Sequence, residues 1–203
     1  NIIVVNIGDV GLPKGLDPKM NLVYIKPIDS LGTAFEFRPE TARTKMDMGW
    51  YDTMKAFGRF SGEWMYFPNE EYQRLRDELG ENVVKGLEHA ARLYGLDKLR
   101  VCTAEEFVRE LMDCDRVSAE KFAAFRSRFD LPLLLKAFYK GDFRDTDMTS
   151  DVLLQLTQNL LNDRKERPKL LAVARRMIPD ILRAAEAMCH LRGYVTGEWK
   201  ASI

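Results

Sequence analysis

Histidine is almost missing from this chain: His89 and His190 are the whole supply in 203 residues. Two imidazoles are too few for a histidine-rich metal centre, and the sequence predicts neither a bound metal nor a cofactor. Cysteine is nearly as scarce. Cys102, Cys114 and Cys189 are odd in number and none forms a C-x-x-C pair, which predicts reduced thiols in a cytoplasmic protein rather than a disulfide framework. No apolar run reaches the length of a membrane span. The short apolar start lacks the basic leader and small-residue cleavage site of a signal peptide, so a membrane is not among the expected partners. Net charge is lacking too, with 31 basic against 31 acidic side chains, and bulk attraction to a polyanion is therefore not expected. Also missing are G-x-S-x-G, the Walker loop G-x-x-x-x-G-K-[ST] and H-E-x-x-H, the local signatures of several large hydrolase and nucleotide-cleaving classes.

What remains is the composition of an ordinary globular protein, 46% hydrophobic and 31% charged. The pattern predicts an α+β fold, mainly helical, with a small N-terminal sheet of three or four strands packed on a six- to seven-helix assembly. Linkers are short, so a single domain over 1–203 is expected. It divides into a β region over 1–40, an aromatic-rich connector over 41–68 and a helical region over 69–203. The β-branched run at 2–7 reads as a strand buried on both faces. Strands follow at 21–28 and 34–38, the latter two as a hairpin, and a short fourth strand at 99–102. A short helix is expected around 48–57. Asn69 then caps a helix ending before Gly80, and 81–94 forms a second, stopped by Gly95. A capping box at Thr103 and Glu106 opens a helix to about Asp113. Ser118 caps the next, with Phe122, Phe125 and Phe129 on one face, and an apolar helix follows at 133–139. Ser150 caps another over 151–164.

The last long helix, 168–192, organises the reading. Leu170, Ala174, Met177, Ile181, Ala185 and Met188 recur at helical spacing and predict a buried stripe. Pro179 should bend this helix and Gly193 should end it. Opposite the stripe, Arg176, Arg183 and His190 are seven residues apart and lie within about 40° of one another on an ideal helix. They form a candidate cationic ridge. A second candidate surface is the connector, where Trp50, Tyr51, Phe57, Phe60, Trp64, Tyr66 and Phe67 alternate with bases including Arg59. Rings and cations so interleaved can stack on and clamp a nucleic acid. The competing and favoured reading makes the rings core and the bases a solvated rim.

Arg183 and His190 stand in an R-x(6)-H arrangement. It resembles the R-x(4–6)-H signature of HEPN-type helical ribonucleases, although Ala184 follows the arginine where that family usually has a polar residue. The resemblance implies that His190 acts as acid or base at a 2′-hydroxyl while Arg183 holds the phosphate, with no metal. The start, I-I-V-V-N-I-G-D-V-G, is similar to the first strand and turn of Rossmann-like nucleotide sensors such as the CRISPR-associated ring-nucleotide domains. That resemblance implies close phosphate approach at Gly8 and Gly11.

The favoured function is a non-enzymatic interaction or assembly subunit of an intracellular complex. Its binding residues would be Arg176, Arg183, His190, Trp50, Arg59 and Trp64, facing an acidic protein partner, a second copy of the chain or a nucleic-acid backbone. The alternative is an RNA-cleaving or nucleotide-sensing defence protein built on Arg183 and His190.

Overall fold

The structure is a computed structural model that describes residues 2–6, 15, 19–29, 38–128, 148–165 and 167–196, apart from the side chains at 167, 169 and 170. Expectations resting on Gly8, Gly11, Phe129, residues 34–37, the 133–139 helix and the Leu170 side chain lie outside the described residues. Among the described residues the chain is mainly helical, with seven helices and two small two-stranded sheets. They group into two compact units, the first comprising Asn1–Gln73 with Asp97–Thr103 and the second Arg74–Leu96 with Ala104–Ile203.

In the first unit, β1 (Ile2–Val5) and β2 (Leu22–Ile25) pair in parallel, Ile2 opposite Leu22 and Val5 opposite Ile25. Among the described residues the sheet thus has two strands, not three or four. β1 is not buried on both faces either: Ile2, Ile3 and Val5 are 44%, 57% and 61% exposed. A β-branched run reports strand preference, whereas burial depends on what covers it. Helix α1 (Pro39–Ala56) starts well before the expected 48. Pro39 suits a first helical turn, and it holds Arg38 in the extended conformation that a residue before proline prefers.

A tight hairpin follows, β3 (Phe60–Ser61) antiparallel to β4 (Phe67–Pro68). Asn69, read as a cap, instead ties this hairpin. Its Nδ2 donates to the Gly58 carbonyl at 2.8 Å and its Oδ1 accepts from Ser61 at 2.8 Å. The segment 99–102 contributes a single bridge, Val101 beside Tyr66, with the Cys102 N–H donating to the Tyr66 carbonyl. Helix α2 (Asn69–Leu79) then begins.

The second unit is built from helices. α3 (Glu81–Tyr94) ends as the sequence predicts, with Gly95 at φ 74°, where a side chain would be strained. α4 runs unbroken over Ala104–Arg126, across the expected break. No glycine or proline interrupts residues 113–118, and Ser118 is a buried mid-helix residue whose hydroxyl donates to the Asp151 carbonyl at 2.9 Å. α5 (Ser150–Asn162), α6 (Arg167–Met177) and α7 (Pro179–Thr196) complete the unit.

Pro179 does break the long terminal helix, leaving Ile178 as a joint whose flanking hydrogen bonds survive: Ile178 N to Ala174 O and Leu182 N to Ile178 O, both 2.9 Å. Gly193 does not end α7, which continues to Thr196. Met177 is 47% exposed, and the buried side of α7 is Leu182, Ala184, Ala185, Ala187, Met188 and Leu191. That face packs chiefly on α3 and α5.

Candidate binding face on helices α3 and α7

The approach of α3 to α7 is set by a residue without a side chain. A Cβ placed on Gly86 would lie 2.6 Å from the Ala187 Cβ and 2.8 Å from the Arg183 carbonyl oxygen, so any other residue would force the helices apart. Facing Gly86 is the turn that carries Arg183. Its Nη1 donates to His89 Nε2 at 3.2 Å, which assigns the neutral His89 ring its proton on Nδ1. Arg183 is exposed and His89 half-buried. The structure therefore joins Arg183 to His89, a residue on a different helix.

His190 lies one heptad further along α7 and is half-buried; that burial pulls its pKa below the ordinary histidine value of 6.5. At neutral pH it is an uncharged ring. The positive charge of the ridge thus comes from Arg183 and from Arg176, both exposed. Asp180 and Glu186 are exposed on the same helix, so the face is mixed in sign.

A buried cluster behind this face fixes α7 in place. Asp115, 4% exposed, accepts a two-pronged contact from Arg192, Nε to Oδ2 at 2.6 Å and Nη2 to Oδ1 at 2.7 Å. It also accepts from the Tyr94 hydroxyl at 2.8 Å and from Gln155 Nε2 at 2.6 Å. Burial pulls the Arg192 pKa down, but the hydrogen bond and charge of Asp115 outweigh it and hold Arg192 above its usual value. Burial, with Asp115 beside it, pushes the Tyr94 hydroxyl far up. Desolvation also raises the thiols of Cys189 and Cys114, which keeps both protonated and poorly nucleophilic.

The connector is divided between core and surface. Met65, Tyr66 and Phe67 are fully buried, as the core reading has it. Trp64 is half-buried with the Lys98 ammonium 5.8 Å from its ring. Trp50 is 52% exposed, edge-on to Tyr51 at 4.9 Å and to Phe60 at 6.0 Å, and Arg59 is exposed. Trp50, Arg59 and Trp64 belong to the first unit; Arg176, Arg183 and His190 belong to the second.

Sequence reasoning missed His89, Gly86 and the Asp115–Arg192 clamp. A glycine inside a strong helical pattern was the available signal for the close crossing. Among the described residues, no cluster of His, Cys, Asp and Glu is arranged to hold a metal ion, and no helix is long and apolar enough to cross a membrane. Comparison with protein-family models, with curated proteins and with solved structures finds no match for this chain.

Proposed function

We propose that the chain is a non-enzymatic interaction subunit that uses the exposed α3–α7 face to contact an acidic protein partner. The observation that carries this reading is the Gly86 crossing, which seats the exposed Arg183 against His89 on a helix anchored from behind by Arg192 and Asp115. A preorganised arginine in that setting loses little side-chain entropy on engaging a carboxylate. Asp180 and Glu186 on the same helix favour a protein surface of mixed charge over a uniform polyanion, because like charges would repel phosphates. The raised thiol pKa values of Cys114 and Cys189 favour binding over thiolate chemistry.

The test compares wild type with Arg183→Glu and Arg176→Glu, both at exposed positions, in partner recovery from native extract and in binding of single-stranded RNA at stepped salt. An acidic protein retained by wild type, lost from both charge reversals and kept by Arg59→Glu supports the proposal. RNA cleavage that disappears in His190→Ala at unchanged stability overturns it and restores the ribonuclease alternative.

A further inference from the structure

Independently of that surface, the first unit contains a cavity of about 370 Å³, within the range of small-molecule sites. Its position follows from the topology. β1 and β2 are parallel, so their carboxyl ends share one rim, and Val5, Asn6, Ile25 and Pro27 line the cavity from there. The crevice outside the carboxyl ends of parallel strands is where α/β sheets take their ligands. The opposite wall is helix α1, which presents Lys45, Gly49, Asp52 and Thr53. Lys45, Gly49 and Asp52 fall within about 60° of one another on an ideal helix.

Gly49 is the telling residue. Glycine inside a helix costs about 1 kcal/mol relative to alanine, and packing does not require it here: a Cβ at Gly49 meets nothing within 4 Å. Its effect is to leave the cavity open between a cation and an acid. Asp52 is 6% exposed and accepts from the Ile28 N–H at 3.0 Å and the Tyr66 hydroxyl at 2.7 Å. A carboxylate has about four lone-pair sites, so it can take a further donor from a bound molecule. Lys45, half-buried, supplies the cation. The two residues are seven apart, about 10 Å along the helix axis, and a ligand engaging both must carry its anion and its donors at separate ends. A phosphate on a hydroxylated ring has that form, and Val5, Ile25 and Pro27 offer the ring an apolar wall.

We propose that this cavity is a binding site for a phosphorylated, hydroxyl-bearing ligand of sugar-phosphate or mononucleotide size, its phosphate at Lys45 and its hydroxyls at Asp52.

Isothermal titration of the full chain with ribose 5-phosphate, adenosine 5′-monophosphate, adenosine and inorganic phosphate tests it. At least one of the two phosphorylated probes should bind, and more tightly than adenosine or phosphate. A preference for the nucleotide means the base enters the cavity, and equal affinities mean the sugar phosphate suffices. Lys45→Ala should weaken binding about tenfold or more, the scale of a lost charge-assisted contact. Gly49→Leu should abolish binding while the thermal midpoint stays level or rises. Should Gly49→Leu misfold, Gly49→Ala together with Lys45→Ala decides the question. No binding of either phosphorylated probe at millimolar concentration, or binding that survives both filling of the cavity and loss of Lys45, overturns the proposal.

Discussion

Each unit buries one aspartate against a tyrosine hydroxyl, and the two are built differently. Asp115 in the second unit accepts from Tyr94, Gln155 and both prongs of Arg192. Its charge is answered inside the fold. The hydrogen bonds to Asp52 in the first unit come from neutral groups, Tyr66 and the Ile28 amide, and the acid borders a cavity that Lys45 also lines. A glycine goes with each. Gly86 is forced by contact with Ala187 and Arg183, and Gly49 by nothing within reach. Asp115 and Gly86 are both tied up by their neighbours, whereas Asp52 borders a cavity and Gly49 meets nothing within 4 Å, and the proposed ligand site rests on that contrast.

The largest test of that contrast is Arg192→Ala. It strands Asp115 as an uncompensated buried acid and should cost about 3–5 kcal/mol in urea unfolding. Asp52→Asn keeps an oxygen for the Tyr66 hydroxyl and should cost about 1 kcal/mol; equal losses from the two variants would break the comparison. Next come the glycines, with opposite signs. Gly86→Ala should destabilise by about 1–3 kcal/mol through overpacking and separate Arg183 from His89. Gly49→Ala should stabilise by about 1 kcal/mol through helix propensity.

Alkali should act on both units alike. Burial and the adjacent acid raise the pKa of Tyr66 and of Tyr94 above the ordinary 10.0. A raised pKa means the stability they contribute is whole below pH 10 and is lost as pH climbs beyond it. Tyrosinate absorbance should therefore show these two rings ionising only with unfolding. The smallest effect belongs to His190. Its depressed pKa means the fold favours the neutral ring, so its contribution is complete above pH 6.5 and declines as pH falls through the folded value. The urea midpoint of His190→Gln should drop less between pH 7.5 and pH 5 than that of wild type.

The sequence was legible at some positions where a local rule governs, though not at Gly193, which the terminal helix runs through. Gly95 stops α3 because a left-handed cap needs glycine, and Pro179 interrupts the terminal helix because proline lacks a backbone donor. It misled where a residue has two uses. Ser118 and Asn69 carry side chains that cap helices, yet one spends its hydroxyl on the Asp151 carbonyl and the other ties the β3–β4 hairpin. Burial of β1 was illegible because the strand's own residues do not determine what lies against them. Arg183 was marked on the correct face, but its neighbour His89 lies 94 positions away, and only the helix crossing brings them together.

The clamp on Asp115 also has a consequence for how the protein is made. Its arginine follows 77 positions behind it, so at about 5–20 residues per second the ribosome takes roughly 4–15 s to deliver the partner. Throughout that interval the nascent α4 has to keep its acid hydrated. The second unit can settle into its final packing only after the last helix has emerged.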